Sequence, residues 1–142
     1  MKRLLIIFAG LALVASLAAG GFAATTKAPK SSKIMIRHQV RGCHTWSVNG
    51  GAYRATLSTS LARGGTITFM NMDVMPHKLQ KTSGPAIHFA GKPNMNHMNA
   101  SVKVTFSKAG VYKFKTKPGE DYMEGMKTIG EDNVLRLTVK VS

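Results

Sequence analysis

The feature that most constrains this chain is a period of two. From Lys33 onward apolar and polar residues alternate: Ile34 and Ile36 against Met35 and Arg37, Ile67 and Phe69 against Thr66 and Thr68, and Val102, Val104 and Phe106 against Lys103 and Thr105. Tyr112 and Phe114 alternate in the same way with Lys113 and Lys115, as do Leu135, Leu137, Val139 and Val141 with Arg136, Thr138 and Lys140. Successive side chains of a strand point to opposite faces, so each run predicts a strand with one buried and one wet face. Helical stripes are scarce. Turn signals separate the runs at Asn49-Gly50-Gly51, Gly64-Gly65, Lys108-Ala109-Gly110 and Pro118-Gly119. Short strands joined by Gly turns predict an all-β fold, a small sandwich or barrel. The 142 residues suit one domain, and 44% hydrophobic content supplies its core. Two stretches break the alternation and are expected as loops: Ser83 to Ala100, with Pro85, Pro93 and a Met/His cluster, and Lys117 to Asn133, which holds five of the six acids.

The N-terminus has the three parts of an export signal: Lys2 and Arg3, an apolar run from Leu4 to Ala19, and a small-residue exit at Gly21-Phe22-Ala23. Cleavage is expected after Ala23. The alternative, a retained anchor, would need a longer apolar run. Residues 24–33 are small, polar and basic and are expected as a flexible leader, which leaves 34–142 as the domain. The mature protein is expected in the periplasm or outside the cell, as a monomer with no stable membrane span.

Lys and Arg total 20 against 6 acids, a formal charge of +14. In an exported chain this favours anionic surfaces or an acidic redox partner over nucleic acid. Trp46, Tyr53 and Tyr122 are also too few and too scattered for a base-stacking platform. No Gly-rich phosphate loop, nucleophile elbow or carboxylate pair with a supporting His is present, so a hydrolase is not supported. A single cysteine, Cys43, excludes an internal disulfide and a Cys-rich zinc module.

The segment Gly65-Thr66-Ile67-Thr68-Phe69-Met70-Asn71-Met72-Asp73-Val74-Met75-Pro76-His77 resembles the strand of the cupredoxins that leads through "N-x-D" to the first copper-ligating His. Phe106-Ser107-Lys108-Ala109-Gly110-Val111-Tyr112-Lys113-Phe114 is similar to the family's "F-x-x-x-G-x-Y-x-F" strand pair. Gly125-Met126 and the Leu135 to Val141 strand resemble its Gly-Met turn and last strand. The resemblance implies a Greek-key β-sandwich with copper at one pole and His77 as a ligand. It also implies departures. Thr116 stands where the family has its Cys ligand, Asp121 falls at the second His position, and Met126 keeps the axial Met position. An ordinary His₂Cys(Met) site from that loop is excluded.

Other donors stand in reserve. Cys43 and His44 could supply from the N-terminal side what Thr116 cannot, provided their connection reaches the His77 pole. A thiolate and imidazoles suit copper or zinc, and a thioether at longer distance favours copper. Neighbours on a regular strand point apart, so joint ligation needs a loop or bulge, which Gly42 permits. Glu120 or Asp121 would harden the site, and Met126 or Met123 would soften it. His38 shares the parity of Ile34 and Ile36 and is expected near the core edge. Met95, His97 and Met98 form a further Met/His cluster suited to Cu(I); equally, Met is adaptable packing and a lone Cys a small hydrophobe.

The expected function is copper binding for electron transfer or copper handling, through His77, Cys43 or His44, and Met126, Asp121 or Glu120, with an acidic redox or copper-exchange partner. The alternative is a metal-free module that binds through its basic sheet face at the cell surface. An oxidoreductase would need an open coordination position, which nothing in the sequence shows.

Overall fold

A computed structural model describes residues 27–38, 44–118 and 134–142. The signal segment 1–23 falls outside the described residues, as do Cys43, Glu120, Asp121, Met123 and Met126.

The alternating runs form strands, and the fold is the expected all-β sandwich of two mixed sheets. One sheet contains β1 (Ser31–His38), β2 (His44–Val48), β4 (Gly65–Asn71), β6 (His88–Ala90) and β8 (Ser101–Phe106), in the order β2-β1-β4-β8-β6. The other contains β3 (Thr56–Leu61), β5 (His77–Ser83), β7 (Asn94–Met95), β9 (Gly110–Pro118) and β10 (Arg136–Val141), in the order β3-β10-β9-β5-β7. The pairs β1–β4 and β3–β10 are parallel. The inward residues of each period-two run meet between the sheets: Ile34, Ile36, Ile67, Phe69, Val102, Val104 and Phe106 from one, Tyr112, Phe114, Leu137, Val139 and Val141 from the other. Lys103, Lys113 and Lys140 lie outside.

Aromatic rings hold the middle of the core. Phe106 meets Tyr112 edge-on at 4.9 Å between centroids, and Phe114 lies 5.6 Å from Phe69 and 6.0 Å from Phe106. Full burial of one such side chain contributes roughly 1.5–3 kcal/mol. The Tyr112 hydroxyl donates to the Lys108 carbonyl at 2.6 Å, which lets the ring enter the core without a stranded O–H. Gly65, at the opposite pole from His77, is fixed by close approach: a Cβ there would lie 2.7 Å from the Ala62 carbonyl oxygen and 2.8 Å from that of Lys30.

Three expectations are corrected. Ser31–Lys33, assigned by composition to the leader, are part of β1, because pairing with β4 satisfies their backbone and Ser32 is buried. The docking reaches further back still: Ala62 N–H donates to the Pro29 carbonyl and Thr66 N–H to that of Lys30. The Ser83 to Ala100 stretch is not one long loop, since it gives β6 to the edge beside β8 and β7 to the edge beside β5. His38 is exposed despite its parity with Ile34 and Ile36, because it ends β1 at the rim of the sandwich.

Candidate metal centre

The candidate centre lies where β4 hands over to β5. Asn71 ends β4, His77 begins β5, and the connection is tied by the side chains of Asn71 and Asp73. Asn71 Oδ1 accepts from the Asp73 N–H at 2.9 Å, and its Nδ2 donates to the carbonyls of Met75 at 2.7 Å and Met95 at 3.1 Å. Asp73 Oδ1 accepts from the Met75 N–H at 3.1 Å, a local carboxylate turn of the kind short acidic side chains make. Pro76 follows, and the extended backbone it imposes leads into β5 with the His77 side chain directed into the sandwich. His77 is fully buried.

His44 arrives from the other sheet. It begins β2 and shares the inward face of that strand with Trp46, so its ring is buried at the same pole. The centroids of His44 and His77 are 4.6 Å apart at 85°. The carboxylate between them joins the two: His44 Nδ1 lies 2.9 Å and His77 Nε2 3.4 Å from Asp73 Oδ2. Among the described residues Asp73 is the sole acid, and it is 1% exposed. Burial alone pushes its carboxyl upward; hydrogen bonds from His44, His77 and the Met75 amide, with attraction to His77, outweigh this and hold it well below the usual carboxylate range.

This has a consequence for the imidazoles. An ionised carboxylate only accepts, so the network assigns the hydrogens to the ring nitrogens that face it, His44 Nδ1 and His77 Nε2. In the neutral rings the lone pairs then lie on His44 Nε2 and His77 Nδ1, the form in which imidazole ligates a metal. A carboxylate that orients ligating histidines is a recurrent support of metal sites. His38 is the cross-strand partner of His44, its ring centroid 6.0 Å away, and His38, His44 and Asp73 each place one ligand atom within 4.8 Å of the others.

Of the residues singled out in the sequence, His44 and His77 are brought together. Cys43, Met126, Asp121 and Glu120 lie outside the described residues, although Cys43 directly precedes His44 in the chain. Thr116 is buried opposite Leu79 in the β5–β9 register, where the cupredoxin pattern would set its thiolate. The Met95, His97 and Met98 cluster is divided: Met95 is fully buried as the cross-strand partner of His77, whereas His97 and Met98 are exposed. In the sequence Asp73 stands out only as part of the N-x-D motif and not as a working residue. Its signal was nevertheless present, as the one acid outside the 117–133 stretch of a chain with charge +14.

No family model and no curated protein matches the chain. It is similar to solved structures of cupredoxins. A purple cupredoxin from Nitrosopumilus maritimus is 22% identical, with 78% of this chain and 99% of that one covered and a TM-score of 0.44. A reduced amicyanin mutant is 17% identical, over 78% and 82% of the two chains, with a TM-score of 0.43. Amicyanin from Paracoccus versutus is 19% identical, over 76% and 79%, with a TM-score of 0.42.

Proposed function

We propose that this protein is an exported copper-binding protein of cupredoxin-like fold, an electron carrier or copper handler rather than an enzyme, with its ion at the His44–His77 pole. The observation that carries this reading is the pair of buried imidazoles, one from each sheet, that share one buried carboxylate. Water would hydrate all three groups, and burying them together is costly unless the arrangement is used.

The donor set fits copper. Two neutral imidazoles suit Cu(I) and Cu(II) alike, and the remaining donors of the reading are Cys43, next to His44 in the chain, and Met126, Asp121 or Glu120, which the cupredoxin resemblance implies for the same pole. Because Thr116 replaces the usual thiolate, any sulfur ligand of this reading comes from Cys43 or Met126. Copper would supply reversible one-electron chemistry; His44 and His77 would hold it, with their rings fixed by Asp73 and buried from water. A copper titration of the reduced protein tests the reading. One tightly bound copper, held much more weakly in both His44→Ala and His77→Ala, is expected; no stoichiometric copper would refute it.

A second reading is favoured by one observation on the outer face of the second sheet. Lys115 stands directly opposite Arg136 in the β9–β10 register, with Lys113 along the same strand opposite Thr138. Like charges in register are unfavourable by themselves and are relieved by an anion. This is the face that a metal-free binding module would use on an anionic polymer. Salt-sensitive binding to heparin that survives His77→Ala but not Lys113→Gln with Lys115→Gln would support it.

A further inference from the structure

The three imidazoles of the pole form a graded row. His77 is fully buried, His44 is 1% exposed, and His38 is exposed at the end of β1. Their rings meet edge-on in sequence, His77 with His44 at 4.6 Å and His44 with His38 at 6.0 Å. The other exposed histidines lack this connection: His97 Nδ1 is engaged by the Met98 carbonyl at 2.9 Å, and His88 lies on β6 opposite Thr105, towards the far pole. His38 therefore joins the buried pair to solvent.

Charge makes such a residue useful. The chain carries +14, so its mean field repels an approaching copper ion. Across the described residues the only acidic side chain is Asp73, and it is buried behind His44. A cation reaching this pole is helped by a first contact that is exposed, able to ligate and close enough to Asp73 to feel its charge. His38 meets these conditions, with a ligand atom within 4.8 Å of one on His44 and one on Asp73.

We propose that His38 is the capture ligand of this pole: it binds an arriving copper ion first and passes it to His44 and His77 behind it. The inference rests on the pole being a copper site, and it assigns His38 a role in the rate of loading and not in the final shell. Its imidazole lies exposed at a strand end, whereas the buried rings are held by Asp73.

The test is stopped-flow loading with Cu(II), together with equilibrium competition against a chromophoric chelator, on the parent protein, His38→Gln and His88→Gln. Position 38 is exposed, so Gln there leaves the core untouched, and a thermal melt of each metal-free variant verifies this. The association rate of His38→Gln is expected to fall about tenfold, with release slowed in proportion so that affinity stays within about twofold. His88→Gln should load like the parent. An unchanged rate in His38→Gln would overturn the proposal, as would a lost affinity at an unchanged association rate, which would make His38 a permanent ligand. A parent protein that takes up no copper would instead refute the copper reading on which the proposal rests.

Discussion

Replacing Asp73 by Asn separates the orienting role of this carboxylate from its bulk. The amide has the same shape but offers one acceptor and one donor where the carboxylate offers two acceptors. Asp73 Oδ1 now takes the Met75 N–H, and Oδ2 takes His44 Nδ1 and, more weakly, His77 Nε2. If the amide oxygen stays on Met75, its NH₂ faces both imidazoles and drives their hydrogens to His44 Nε2 and His77 Nδ1, the atoms a metal requires. If the amide flips, donor meets donor at Met75. In the first case the imidazole bonds persist with donor and acceptor exchanged, and in the second the Met75 bond is lost; either way the cost to the metal-free fold is about 1–2 kcal/mol, lessened because a neutral amide is less costly to bury. Copper affinity should suffer more, by about 10–100-fold, the usual effect of removing a group that orients ligating histidines. Chelator competition gives the affinity and a metal-free thermal melt gives the stability. Copper affinity within twofold of the parent, in a folded Asp73→Asn protein, would refute the reasoning that Asp73 sets the ring nitrogens.

Other outcomes follow from the same structure. Asp73 is held below its ordinary range in the fold, so its contribution to stability is complete above the unfolded carboxylate pKa of about 3.9 and is lost as pH falls below it. The metal-free protein should therefore lose up to about 1.4 kcal/mol per pH unit through this group below about pH 4, a component of the slope absent from Asp73→Asn in acid unfolding curves. Gly65→Ala forces a Cβ against two backbone carbonyls that cannot turn aside, and should cost about 2 kcal/mol or more in urea unfolding without altering copper affinity at the far pole. Phe114→Ala opens the aromatic core next to Phe69 and Phe106 and should cost about 3–5 kcal/mol in the same assay.

The sandwich was legible wherever alternation was strict. In the middle of β1, β4 and β9 and throughout β8 and β10 every second residue is apolar, and those residues form the core. The strands that escaped notice have weaker patterns for identifiable reasons. β3 reads Thr56-Leu57-Ser58-Thr59-Ser60-Leu61, with small hydroxyl residues on its outer face and no run of large apolar ones. β5 begins on a histidine and is mostly polar, because it spends its inward positions on His77 and Leu79. β6 and β7 are too short for a period to register and exist through pairing with β8 and β5.

The site was legible in part. His77 was marked by its motif and His44 by its neighbour Cys43, but their meeting depends on β1–β2 pairing in one sheet and β5 lying in the other, which no local pattern encodes. The working position of Asp73 is likewise a tertiary fact. Its turn with Met75 is local, whereas its contact with His44 joins residues 29 apart in the sequence.

X-ray absorption of the copper-loaded protein at the metal edge tests the central claim most directly, because it counts the imidazoles bound to the ion. The account predicts two imidazole nitrogens in the parent and one fewer in His44→Ala and in His77→Ala. Bound copper whose shell contains no imidazole, or whose imidazole count is unmoved by either substitution, would contradict it.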